Sequence, residues 1–168
     1  MDAQKLTTYS LEQLENLIAN YRRQGRERDP IFPAILAARE RLKSPILDFQ
    51  TTLTVIRRAA AEGRFLTYKQ VADESGADWA KVHWQMGDHL TRLCEYAHRK
   101  GWPLLSAIVV NGENVETGTL KPESLAGFTS MARDFGIPVL DPVEFLRREQ
   151  QRVFQWANSV ATDEAGIN

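Results

Sequence analysis

A mainly helical fold with one small β-hairpin, an α+β arrangement, is predicted by three observations. Apolar residues recur at helical spacing through most of the 168 residues. The periodic stretches open on Ser, Thr, Asp or Pro and stop at Gly. The period changes to a short apolar run only once, near Leu104. At this length roughly 70% of the surface exposed by the unfolded chain is buried on folding, so a core needs no staples. The one cysteine, Cys94, excludes an intramolecular disulfide and a CxxC metal knuckle.

Ser10 followed by Gln13 is a capping-box start. Leu11, Leu14, Leu17, Ile18 and Tyr21 then form one apolar stripe that ends at Gly25. Asp29-Pro30 opens a second helix with Ile31, Ile35, Ala38 and Leu42 on its buried side. Ser44-Pro45 opens a third, carrying Leu47, Leu53, Ile56 and Ala60 to Gly63. Arg64-Phe65-Leu66 reads as extended, and Thr67 with Gln70 caps a short helix in which Tyr68, Val71 and Ala72 face inward. Gly76 stops it. Asp78 caps the next helix, Trp79 to about Lys100, which buries Val82, Met86, Leu90, Leu93, Cys94 and Ala97.

Leu104 to Val110 reads as a strand, Asn111-Gly112 as a hairpin turn, and Val115 to Thr117 as the return strand. Pro122 starts a helix with Leu125, Phe128, Met131, Ala132 and Phe135, stopped by Gly136. Asp141-Pro142 with Glu144 opens the last, with Val143, Leu146, Val153, Trp156 and Val160 in its stripe. The expected organisation is an amino-terminal helical layer (1–63) containing a helical hairpin, a central segment (64–120), carboxy-terminal helices (121–160) and a flexible tail (161–168).

The net charge of −1 argues against unselective coating of nucleic acid. Its distribution is uneven. Arg22 to Lys69 holds eleven Lys and Arg against five acids, whereas Leu104 to the end holds five against nine. One phosphate-facing side and a set of solvated helix faces both fit that asymmetry. The amino terminus lacks a basic stretch followed by an apolar run, and no segment approaches 18 uninterrupted apolar residues. A cytoplasmic protein without a membrane partner is expected, nucleoid-associated if it holds DNA.

Residues 66–90, LTYKQVADESGADWAKVHWQMGDHL, place a capped short helix, a glycine turn and a second capped helix ahead of the expected hairpin. That is the order of a winged helix-turn-helix, whose second helix enters a groove while the hairpin rests on the backbone. Lys81, His83, Trp84 and Gln85 would be its exposed residues. Gln reads adenine, Lys and His meet phosphate or guanine, and Trp wedges or stacks. Arg57, Arg58, Arg64 and Lys69 are the basic residues expected to meet phosphates beside them.

TYKQVADESG, WQMGDHL and LLSAIVVNG together resemble, in order and spacing, the carboxy-terminal domain of the O6-alkylguanine-DNA alkyltransferases and alkyltransferase-like proteins. The match spans about a third of the chain. The resemblance puts Tyr68 at the family's helix tyrosine, which crowds the phosphate of a flipped nucleotide. It puts Met86-Gly87 at the Val-Gly of the recognition helix, and Val109-Val110 at the end of the active-site strand. It also marks departures. Trp84 stands where the family inserts an arginine for the flipped base, and Ser106-Ala107 stands where Cys-His would be. Without that thiol alkyl transfer is not expected, and a binding role like that of the alkyltransferase-like proteins is. The strand with its downstream helices is also similar to small bacterial proteins associated with restriction and phage defence.

No catalytic constellation emerges. Cys94 and His98 share a helix face, but a zinc site needs two further ligands, so a core cysteine beside a boundary histidine is favoured. Ser106 as a nucleophile lacks a neighbouring base, His83, His89 and His98 lying elsewhere on a helix. Asp134, Asp141 and Glu144 read as surface and capping residues. The expectation is a non-enzymatic protein, without cofactor or metal, that binds double-stranded DNA through the helix-turn-helix surface in repair signalling or phage defence. The alternative is a protein–protein interaction module of a bacterial defence or regulatory system.

Overall fold

The computed structural model describes residues 2–43 and 46–167, the last eight of these as backbone only. After a 3₁₀ turn at Ala3–Thr8 come α1 (Leu11–Arg23) and α2 (Phe32–Leu42), which pack antiparallel around a small core of their own. The capping box closes as expected: Ser10 Oγ accepts from the Gln13 N–H at 3.1 Å, and Gln13 Oε1 accepts from the Ser10 N–H at 2.8 Å. Leu14, Ile18 and Tyr21 meet Phe32, Ile35 and Ala38 in this first core. Leu42 is corrected; it is 47% exposed, because the hairpin core ends one turn earlier.

The start expected at Ser44-Pro45 lies outside the described residues. The third helix, α3 (Phe49–Ala61), opens instead on Asp48, whose carboxylate accepts from the Thr51 N–H and hydroxyl at 2.9 and 2.7 Å. Leu53, Val55, Ile56 and Ala59 enter the second, larger core. The smaller core is built from residues up to Ala38 and the larger one from Leu47 onward.

The larger core is crossed by a sheet of two short strands, β1 (Leu66–Thr67) and β2 (Val109–Val110), paired in parallel with Leu66 opposite Val109. This corrects the expected hairpin. Residues 112–114 form a 3₁₀ turn, and the Thr117 and Gly118 N–H groups donate back to the Asn114 carbonyl at 3.2 and 2.8 Å. The chain coils there instead of returning, and Asn111 Oδ1 is held by the Lys121 N–H at 3.1 Å. The wing of a winged helix is absent among the described residues.

The run 104–110 is only partly extended, since Leu105–Ile108 make a 3₁₀ turn before β2. It has few ladder partners because the last helix, α8 (Pro142–Ile167), supplies others. Buried Glu149 accepts from the Leu104 N–H at 2.9 Å, and buried Gln150 donates to the Ala107 and Gly118 carbonyls at 3.0 and 2.7 Å. In α8, Leu146, Val153 and Trp156 are buried, while Val143 is 57% exposed, contrary to expectation, at the first turn before the helix meets the core. The side chain of Val160 lies outside the description; the helix bounds extend into the stretch read as a tail.

The helix expected from Trp79 to Lys100 is broken into α5 (Trp79–Val82), a 3₁₀ turn (His83–Gln85) and α6 (Met86–Arg99), after the expected short α4 (Tyr68–Glu74). The reason is a competing donor. Trp84 Nε1 donates to the Lys81 carbonyl at 3.0 Å, the acceptor that a continuous helix reserves for the N–H of residue 85. The remaining helix, α7 (Pro122–Asp134), runs to Gly136, which takes φ +83°. Among the described residues no helix is long and apolar enough to cross a membrane.

Candidate functional site

Two concave regions have contrasting chemistry. The larger, about 990 Å³, lies between the α1–α2 hairpin and α3–α5. Its charges face one another: Lys43 Nζ lies 3.4 Å from Asp73, Lys69 Nζ 3.1 Å from Asp73, and Arg64 nearby reaches Glu62 at 2.6 Å and Glu74 at 3.0 Å. Those two carboxylates hold the Arg64 guanidinium above its ordinary pKa.

The smaller cavity, about 240 Å³, is enclosed by the start of α4, the first turns of α6, the segment entering β2, and α7. Its described lining carries no formal charge. Leu90, Val109 and Phe128 form buried apolar walls, with Met131 partly buried beside them. Gly87 and Gly127 are among its lining residues, and an added Cβ at either would meet nothing within 4 Å.

The polar groups of this cavity are four hydroxyls. Tyr68, first residue of α4, is half-buried; burial pushes its phenol above the ordinary range, with a hydrogen bond to Ser124 opposing, so it is neutral at pH 7. Thr91 Oγ1 donates to the Gly87 carbonyl at 3.0 Å. Ser106 sits in the 3₁₀ turn before β2, backed by Cys94 from α6. The Cys94 thiol donates to Ser106 Oγ at 3.1 Å, and the Ser106 N–H donates to Cys94 Sγ at 3.4 Å. Cys94 is fully buried, and burial pushes its thiol pKa up, so at neutral pH it is a donor and no base. Ser106 therefore has no activating base among its hydrogen-bond partners.

The residues proposed from sequence separate into groups. Lys81 on α5 and His83, Trp84 and Gln85 on the 3₁₀ turn lie close in sequence; the first three are exposed, and Trp84 is 73% exposed with its N–H satisfied. Lys81 lies 3.9 Å from Asp78, and the His83 ring is 5.9 Å from that of Trp79. Lys69 and Arg58 line the large groove. Arg57 turns away, its guanidinium 5.4 Å over the Trp156 ring on α8. Arg64 is engaged by its two glutamates. The basic window thus forms no single face, and Arg26, Arg39, Lys43, Arg64 and Lys69 within it are ion-paired.

Tyr68, Gly87, Ser106 and Val109, spread over more than forty residues of sequence, meet around the small cavity. Sequence reasoning missed Leu120, Ser124, Gly127 and Phe128 on the opposite wall. The signal available was Gly127, a helix-interior glycine with no turn to make. Cys94 and His98 do not converge on a ligand: His98 stacks on Phe135 at 5.5 Å, and among the described residues no three His, Cys, Asp or Glu could hold a metal. Comparison with protein-family models, curated proteins and solved structures finds no match for the chain.

Proposed function

We propose that the chain is a non-enzymatic DNA-binding protein that docks α5 and the following 3₁₀ turn on a duplex and receives an extruded base in the small cavity. The observation that carries this reading is the convergence of Tyr68, Gly87, Ser106 and Val109, which bear the alkyltransferase-like resemblance, on one uncharged cavity. Its volume of about 240 Å³ suits a single nucleobase, and its apolar walls with a few hydroxyls suit a neutral ring. Trp84, exposed three residues before Gly87, is placed to fill the space a displaced base leaves. Binding rather than chemistry is favoured because Ser106 lacks a base and Cys94 is shut behind it as a neutral thiol. Docking without a wing makes the helical segment carry the contact. A role in repair signalling or phage defence fits such a binder.

The test is a gel-shift series with plain, mismatched and O6-alkylguanine duplexes. Binding that strengthens where the base is easily extruded and weakens steeply with salt is expected. No binding to any duplex at low ionic strength overturns the proposal. The alternative, a protein–protein interaction module, is favoured by Leu140, 99% exposed, beside Val143 at 57%. Partner binding through those residues would change little with salt.

A further inference from the structure

We infer that Ser106 is a fixed hydrogen-bond donor to whatever occupies the small cavity, its hydroxyl oriented by the Cys94 thiol behind it, so that the cavity selects an uncharged ring turning an acceptor toward Ser106 over one turning an amino group. The inference rests on the reading of the cavity as a nucleobase site. A serine hydroxyl is ordinarily ambivalent, with one hydrogen to give and two lone pairs to receive. Here the sulfur settles the direction. Cys94 Sγ accepts the backbone N–H of Ser106 at 3.4 Å, and its own hydrogen points to Ser106 Oγ at 3.1 Å. Burial at 0% exposure keeps that hydrogen on the sulfur.

With its oxygen receiving the thiol, Ser106 retains one hydrogen for which the described contacts provide no acceptor. Ser106, itself half-buried, lines the cavity among mostly apolar walls, and an occupant that displaces water there must take over that hydrogen. The occupant must supply the acceptor at the edge it turns toward Ser106: a purine's 6-carbonyl supplies one there, and a 6-amino group does not. An amino group at that edge would set donor against donor and leave both unpaired out of water. Thr91, on α6, has its hydrogen committed to the Gly87 carbonyl, so the two hydroxyls present opposite polarities.

The experiment measures affinity of the full chain for one duplex sequence carrying, opposite an abasic site, hypoxanthine, adenine or a second abasic site. Wild type should prefer hypoxanthine to adenine by about fivefold or more, the effect of a mismatched buried donor. Ser106→Ala and Cys94→Ala should both bring the two bases together within about twofold, the second by freeing the hydroxyl to rotate. Cys94→Ser, which restores a donor behind Ser106, should keep the preference. A preference that survives Ser106→Ala overturns the donor role, and one that survives Cys94→Ala overturns its orientation by the thiol. Equal wild-type binding to base-bearing and doubly abasic duplexes overturns the nucleobase reading itself, and this inference with it. Should Ser106→Ala melt early, the two Cys94 variants carry the test.

Discussion

The α1–α2 hairpin with its large groove and the body with its small cavity obey different rules. The hairpin side is rich in charge, and its charges satisfy one another: Arg39 with Glu40, Lys43 with Asp73, Lys69 with Asp73. The cavity has no charge in its described lining, and among the described contacts the Ser106 hydroxyl there meets only the Cys94 thiol. Size and charge density therefore point to one region, and unspent bonding capacity to the other. A site needs capacity left over after folding. The exposed Lys69–Asp73 pair is worth about 0–1 kcal/mol, whereas Lys43, 9% exposed, is held between Asp73 and Glu40.

The strongest way to break this contrast is to separate the two units energetically. Ile35→Ala removes a fully buried side chain from the hairpin core and should cost about 2–5 kcal/mol there. Hydrogen exchange should show α1 and α2 losing protection while α3 to α8 keep theirs, with affinity for base-bearing DNA within about twofold. Affinity falling in step with the hairpin would make that unit part of the interface.

Next comes filling the cavity. Gly127→Leu places a side chain where a Cβ meets nothing within 4 Å, inside a helix that gains about 1 kcal/mol on losing glycine. The melting temperature should hold or rise, while the base-dependent part of DNA binding falls by about 1–3 kcal/mol, the worth of one stacked base. Unchanged discrimination between base-bearing and abasic duplexes would remove the cavity from the function.

Trp84→Ala should lose about 1–3 kcal/mol of DNA affinity with thermal stability nearly unchanged, because the indole is 73% exposed. One structural consequence is separable. Without the indole N–H, the Lys81 carbonyl becomes free for the residue 85 N–H, so the break between α5 and α6 should anneal, seen as a gain in helical circular dichroism. A large stability loss would instead make Trp84 a packing anchor.

That break shows where the sequence was legible and where it was not. Signals complete within four residues were readable: the boxes at Ser10–Gln13 and Thr67–Gln70, and the stops at Gly25, Gly63, Gly76 and Gly136 with φ between +68° and +83°. The contest for one carbonyl inside 79–100 is equally local, but periodicity does not register it. The hairpin expectation failed because Asn111-Gly112 describes a turn and says nothing about partners. β2 pairs with Leu66–Thr67, more than forty residues earlier, and Gln150 from α8 holds the loop. The cavity was half legible. Tyr68, Gly87 and Ser106 stood in recognisable segments, whereas Ser124, Gly127 and Phe128 looked like an ordinary helix. Cys94 and Ser106 each looked inert alone; only the fold sets them 3.1 Å apart.

A pH titration sharpens the contrast from the body side. His89 Nε2 lies 2.8 Å from the hydroxyl of Thr52, which is fully buried in α3. Desolvation lowers the His89 pKa first, Arg92 lowers it further, and Asp48 opposes. A depressed folded pKa means that the unfolded chain takes up the proton more readily, so this stabilisation is present above the ordinary imidazole value, about 6.5, and is lost as pH falls through the folded value. Melting temperature should decline below about pH 6.5, and His89→Gln should flatten part of that decline. A slope unchanged in the variant would assign it to other groups.

The smallest effect tests the groove itself. Lys69 is 65% exposed on its side chain, and Asp73, one turn on, holds it at 3.1 Å while also meeting Lys43. If the groove's cations are committed to their partners, freeing one should help DNA more than removing it hurts. Asp73→Asn leaves Lys43 with Glu40 at 3.5 Å and releases Lys69. Stability should fall by about 1 kcal/mol or more, since Lys43, 9% exposed, also loses a partner. Should Lys69 then reach a phosphate, affinity rises modestly and the dependence of log affinity on log salt steepens by about one. Lys69→Ala in the otherwise unaltered chain should shift that slope by much less, since its charge is already answered. A full unit lost on Lys69→Ala would mean that Lys69 leaves Asp73 on binding. The groove would then belong to the interface after all.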